Sequence, residues 1–245
     1  MKREALDAWH TVVPPRNNPH GPLPALLVLL TAVTGLVDAF SYLQLGKVFV
    51  ANMTGNVVFL SFALGGAHGF LWWASLLAIV TFSAGAFVGG RIAHARRQHR
   101  GRHLLVAAAT QLGFVLASFV VAVVLRAPYG PAALAVLVVL LGISMGLQNA
   151  TARALAVPDM TTTVLTLTIT GISADSAAAG GTSSKIGRRL VSIVSMFLGG
   201  IVGVVLIQAG HGAWVLLVAG LLLAVVTAAA ARGARTTDAW AQVEA

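Results

Sequence analysis

Side chains able to do chemistry are scarce in this chain, and most of them interrupt apolar sequence. Asp38 lies in Gly35-Leu-Val-Asp38-Ala-Phe-Ser41-Tyr42, and Asn52, Thr54, Gly55 and Asn56 follow within Val48-Phe-Val-Ala-Asn52-Met-Thr54-Gly55-Asn56. A second set, Gln148, Asn149, Thr166 and Thr168, sits in equally apolar surroundings. Polar groups at membrane depth are costly and by default mark ion or solute paths. A carboxylate in low dielectric can hold a proton near neutrality, which would make Asp38 a proton or cation site. The other reading of Asp38 is structural, with the carboxylate bonded to Ser41, Tyr42 or a backbone amide. Asn52, Thr54, Gly55 and Asn56 suit unwound backbone, because Gly55 allows positive φ and Asn tolerates it, leaving free amides and carbonyls for a ligand. A polar turn near the surface would use the same residues without a ligand. Threonines from Thr161 to Thr170 suit either ligand contact or a helix whose hydroxyls bond back to its own carbonyls.

Other chemistries find little purchase. The chain has no cysteine, which excludes disulfides, thiolate catalysis and Cys-based metal sites. His99 and His103 are four apart but stand among arginines, so no metal site is expected. Gly142-Ile-Ser144-Met-Gly146 matches the nucleophile-elbow spacing, which requires a base within hydrogen-bond reach. The seven histidines all fall in tails, loops or span ends, with only His211 keeping an intramembrane serine hydrolase open as a remote alternative. Glycines here, as in the Gly85/Gly89 and Gly199/Gly203 pairs, also let membrane helices approach closely. Gly180-Gly-Thr-Ser-Ser-Lys185 lacks the glycine that precedes lysine in a P-loop, so no nucleotide or other cofactor is expected.

These residues must be positioned by membrane-spanning elements. Of 245 residues, 58% are hydrophobic and 9% charged, with mean hydropathy +0.88, too few charges to cover the surface of a soluble domain. Eight apolar segments run Leu23–Leu45, Val48–Gly65, Phe70–Ala93, His103–Leu125, Ala132–Leu155, Met160–Ala174, Leu190–Ala209 and Ala213–Ala231. Were all eight to cross, basic residues would divide almost evenly, 7 of 16 on one side. If the polar segments Val48–Gly65 and Met160–Ala174 enter and leave on the same side, six helices cross and 14 of the 16 basic residues share one side. That asymmetry is the positive-inside pattern. It places both termini in the cytoplasm, with residues 1–22 a flexible tail, 23–231 one membrane domain and 232–245 a second tail. The net charge of +9 is therefore topological, not a nucleic-acid signature. The cluster from Arg91 to His103 is a cytoplasmic loop that can touch anionic headgroups.

The two halves repeat. Gly35-Leu-Val-Asp38-Ala39 matches Gly146-Leu-Gln148-Asn149-Ala150 at an offset of 111. Thr54-Gly55-Asn56 meets Thr166-Leu167-Thr168 at 112, and Gly85-xxx-Gly89 meets Gly199-xxx-Gly203 at 114. Lys47 and Asp159 stand at corresponding positions ahead of the two polar segments, as gate residues or as solvated loop charges. Leu167 replaces the glycine that the first half carries, which weakens the case for a break there. Three crossings per repeat (23–125 and 132–231) invert the second copy. The expected fold is an all-α polytopic membrane protein with six transmembrane helices and two short broken or re-entrant segments, as in many secondary transporters.

Thr34-Gly35-Leu-Val-Asp38-Ala39-Phe-Ser41-Tyr42-Leu43, Phe49-Val-Ala-Asn52-Met-Thr54-Gly55-Asn56, Gly146-Leu-Gln148-Asn149-Ala150 and Val157-Pro158-Asp159-Met-Thr161-Thr162-Thr163 resemble the YoaK family of bacterial membrane proteins, whose function is unassigned. The resemblance spans nearly all of Leu23 to Ala231 and implies a bacterial inner-membrane protein. It adds no reaction, and Leu167 departs from the glycine expected there. Together these observations point to a small secondary transporter or permease for an unidentified small solute rather than an enzyme. Asp38 would be its titratable or cation-coupling group, and Asn52, Thr54, Asn56, Gln148, Asn149, Thr166 and Thr168 would supply contacts. The competing class is a non-transporting scaffold or lipid-binding protein whose polar groups satisfy one another. Beyond the bilayer and the solute, a homodimer would enlarge the small volume that six helices enclose.

Overall fold

The computed structural model describes residues 2–15, 17–160, 162–163, 165–176, 179–181 and 186–242. Thr161, and the Thr182–Lys185 part of the glycine-rich run, lie outside the described residues. All regular structure among them is helical: α1 (Lys2–Val12), α2 (Leu23–Gln44), α3 (Met53–Leu64), α4 (Trp72–Ala95), α5 (Arg100–Leu125), α6 (Pro131–Leu155), α7 (Leu165–Ala174), α8 (Ile186–Gln208) and α9 (Trp214–Gly233). Six of these, α2, α4, α5, α6, α8 and α9, are long and apolar enough to cross a membrane. The spans are uninterrupted because proline appears only in first turns, at α2 and α6, where its missing N–H costs nothing.

Packing follows the glycines. A Cβ on Gly35 would fall on the Met196 carbonyl of α8, and one on Gly199 would fall on the Ala32 carbonyl of α2. In the same way Gly146 abuts the Phe82 carbonyl of α4, and Gly85 abuts the Ile143 carbonyl of α6. Gly203 faces Ala39 as Gly89 faces Ala150. Backbones this close need residues without side chains. Helix partners obey the same exchange: α2 packs on α8 and α6 on α4, α5 on α6 and α9 on α2, α3 on α4 and α7 on α8, with α5 against α9.

The two short helices each start deep and return to where their segment began. After α2 the chain turns back at Gly46 and Lys47 (φ 81° and 59°) and runs as a bent, non-helical linker to Asn52 before α3 forms. Lys47 Nζ sits 5.2 Å from the Phe70 ring centroid, so the residues before and after α3 share one end of the bundle. The second segment turns at Ala156 and Asp159 (φ 48° and 61°). Arg189 then grips Asp159 at 2.6 Å and Asp175 at 2.8 Å, on either side of α7. At about 1.5 Å per residue, the 12 residues of α3 reach about 18 Å, short of a full crossing.

One expectation changes, and both tails dock on the bundle. The first 22 residues are not simply a flexible tail, since Lys2–Val12 is helical and docks on α8. The Asp7 carboxylate accepts from the Arg188 amide at 3.0 Å, satisfying a free N–H of the first turn of α8. Nor is the C-terminal stretch free: Trp240 covers Gly21 and Gly233, and His99 pairs with Gln242. Charge and proline content concealed both, because neither contact is periodic in sequence.

Candidate functional site

The first turns of α3 and α7 line one cavity of about 510 Å³. From the first segment come Asn52, Thr54 and Gly55, and from the second Asn149, Thr163 and Thr166. Phe82 of α4 and Met196 of α8, the residues at the two glycine crossings, complete its walls. Among the described residues no charged side chain lines it. Because both helices present their N-terminal turns, the positive ends of two helix dipoles face the space. Phe82 and Asn149 also line an adjoining recess of about 550 Å³ that reaches Arg153.

Each linker is pinned by a side chain from the preceding long helix. Asp38 Oδ1 accepts from the Ala51 amide at 3.1 Å, and Asn149 Nδ2 donates to Thr163 Oγ1 at 2.5 Å. Ala51 and Thr163 both line the cavity, so Asp38 touches it through the backbone it holds rather than directly. Ser41 uses its hydroxyl on the Asp38 carbonyl, at 3.3 Å, not on the carboxylate.

Asn56 is committed to the chain itself. Its Oδ1 accepts from the Phe49 amide at 3.0 Å and its Nδ2 donates to the Phe49 carbonyl at 2.5 Å. Gly55 is helical with negative φ. Its role is space, since a Cβ there would press on the Phe49 ring. The unwound backbone expected at Asn52–Asn56 thus lies earlier, at 45–52, where Gly46 and Lys47 take the left-handed angles. Leu167, in the place of Gly55, is 69% exposed and points away from any such ring.

Gln148 lies apart from the cavity. It is buried, accepts from Gln111 Nε2 at 2.6 Å, and donates to Thr34 Oγ1 at 2.9 Å and the Leu30 carbonyl at 3.2 Å. This closed network joins α2, α5 and α6, and pairing is what a buried amide requires. Thr168 is buried in α7 and does not line the cavity. Ser144 is buried in α6 with no hydrogen-bond partner among the described residues. His211 lines a different cavity, to which Ser144 does not contribute. Among the described residues no group of three His, Asp or Glu is placed to hold a metal.

Sequence reasoning missed Phe82 and Met196, which read as ordinary apolar residues; their signal is the glycine opposite each in the repeat. Arg189 was also missed as the tie across α7, since its partners lie 30 and 14 residues away.

A family model described as "Protein of unknown function (DUF1275)" matches residues 26–229. The chain belongs to that family. The DUF1275 match covers every element that builds the cavity. Within the curated proteins, the chain is 33% identical over 150 residues to the "UPF0700 transmembrane protein YoaK" of Bacillus subtilis (strain 168). The match takes in 61% of this chain and 65% of that relative, so the chain spans just under two thirds of the relative's length. No solved structure matches. Membership of the DUF1275 family and six apolar spans make this a multi-pass membrane protein.

Proposed function

We propose that this protein is a small secondary transporter or permease whose solute passes through the cavity between α3 and α7. The observation that carries the reading is that two short helices, one from each half, meet N-terminus first on a single space lined by polar and apolar side chains together. Half-helices that end within the membrane supply free amides where a solute must shed water. The two halves are inverted repeats in this reading, supported by the paired glycine crossings and by Lys47 and Asp159 turning at corresponding positions. A cytoplasmic side for both termini, in a bacterial inner membrane, is part of this reading and is supported by the sequence count that puts 14 of the 16 Lys and Arg residues on that side.

Asn52, Thr54, Asn149, Thr163 and Thr166 contact the solute, while Asp38 acts as a positioning and coupling residue. Ionised, its carboxylate makes a charge-assisted bond to Ala51, stronger than a neutral acid can make. Protonation weakens that bond and releases the linker that carries Asn52 into the cavity. The test is flux in proteoliposomes, measured for protons with an internal pH dye and for a panel of radiolabelled small solutes. Asp38→Asn should still accept from the Ala51 amide through its Oδ1, as a neutral group, and lose the pH dependence. Identical pH profiles in wild type and variant would remove Asp38 from coupling. Absence of any flux would leave the scaffold reading, which the closed Gln111–Gln148–Thr34 network favours.

A further inference from the structure

At the end of the bundle opposite the termini, a second cavity of about 500 Å³ opens between the α5–α6 and α8–α9 connections. Gln44, Arg126, Tyr129, His211 and Trp214 line it, with Ile207 on the apolar side. Arg126 follows directly on α5 in a left-handed conformation (φ 50°), an unfavourable one for a side-chain-bearing residue. With Lys47 it is one of two Lys or Arg residues in the described connections at this end. Among the described residues Arg126, His211 and Gln44 make no side-chain hydrogen bond or ion pair, whereas Tyr129 reaches the Ala122 carbonyl at 3.5 Å. Burial pushes the Tyr129 phenol above its ordinary value, so it remains a neutral donor at physiological pH.

Charge balance sharpens the chemistry. None of the four connections at this end (residues 45–52, 65–71, 126–130 and 209–213) contains an Asp or Glu. Elsewhere the protein does pair its cations, as Arg189 pairs with two carboxylates. The cavity therefore sets a guanidinium, an imidazole and an amide beside two aromatic rings, with no internal counter-ion. A planar guanidinium is suited to an oxyanion held by two parallel hydrogen bonds, and the rings suit an apolar body attached to it.

We infer that this outer cavity is a binding site for a carboxylate or phosphate group carried on a molecule with an apolar part, with Arg126 and His211 as its anchors. The site stands whether or not the central cavity conducts. The anion comes either from a dissolved solute or from a lipid headgroup, and one experiment separates the two. The full-length protein, labelled with 5-fluorotryptophan, is placed in phosphatidylcholine nanodiscs, and the Trp214 fluorine signal is identified through Trp214→Phe. Benzoate is titrated against its neutral counterpart benzamide, with inorganic phosphate as a second anion. A parallel sample holds phosphatidylglycerol and no added anion.

Saturable benzoate shifts, at least ten-fold weaker with benzamide and at least ten-fold weaker in Arg126→Gln, establish a solute site. A Trp214 shift produced by phosphatidylglycerol and lost in Arg126→Gln, with benzoate inert, assigns the same chemistry to a headgroup. The Trp240 signal, at the far end, reports that each variant is folded. Should Arg126→Gln fail to fold, His211→Gln takes its place, and Arg126→Lys should retain part of the binding. Benzamide matching benzoate, an unchanged response in both Arg126→Gln and His211→Gln, or no response to benzoate, phosphate and phosphatidylglycerol alike would overturn the inference.

Discussion

The segment around α3 is fastened by rings and amides, and the segment around α7 by charges. Tyr42, Phe49, Phe59 and Phe70 stack with centroids 5.0, 5.7 and 5.4 Å apart, Asn56 brackets Phe49, and Lys47 lies over the Phe70 ring. No aromatic residue occurs between positions 130 and 196. There Arg189 joins Asp159 to Asp175, and Arg188 Nη1 donates to the Pro158 carbonyl at 3.2 Å. The backbone task is the same, since Lys47 and Asp159 both turn left-handed and Asp38 and Asn149 each pin a linker. Similar geometry is therefore held by interactions with different responses. Ring packing and short amide bonds resist ionic strength, while ion pairs with partly exposed partners do not. Of the two closures, the one at the terminal end is the easier to release.

The largest effect should come from Asn56→Ala. It removes both hydrogen bonds to Phe49, and leaving two partly buried backbone groups unpaired costs about 3 kcal/mol. The loss is measured by unfolding in detergent micelles. A loss below that of Arg189→Gln would break the comparison. Arg189→Gln should cost about 2 kcal/mol: truncating one partner of a buried pair costs more, but Asp175 is half exposed and contributes weakly. Limited proteolysis should cut near Asp175 in that variant and spare the first segment. Gly55→Ala should cost about 1 to 2 kcal/mol, because the new methyl presses on Phe49. Leu167→Ala, at the matching position but facing outward, should cost under about 0.5 kcal/mol.

The six spans, the two short segments and the pairing of glycines could be read from sequence because apolar length, charge distribution and spacing are physical requirements of crossing a membrane. Which polar residues would meet was only partly legible. Asn52, Thr54, Gly55, Asn149 and Thr166 gather at one cavity, since each stands at or beside the start of a short helix or opposite it in the repeat. Asp38, Asn56 and Gln148 look alike in sequence, yet each spends its hydrogen bonds within the chain. Nothing local distinguishes an amide that holds a linker from one that faces a solute. The difference is set by residues such as Phe49 and Gln111, which arrive through packing. Arg189 was hidden for a similar reason, since a basic residue near a span end already has a topological explanation.

A further small effect, specific to the charge-held segment, is its response to salt. Raising sodium chloride from about 0.05 M to about 1 M shortens the screening length from about 14 Å to about 3 Å. Asp159 and Arg189 are mostly covered, so their contact is screened little, while Asp175 at 50% exposure is screened strongly. The stability gap between wild type and Arg189→Gln should therefore narrow by about 0.5 kcal/mol rather than close. The gap between wild type and Asn56→Ala should stay fixed, because its bonds join an amide to backbone groups and carry no net charge. If both gaps narrowed equally, salt would be acting on the micelle or the unfolded chain. If the Arg189→Gln gap closed altogether, Arg189 would hold α7 only through its exposed contact with Asp175, and the covered pair to Asp159 would contribute nothing.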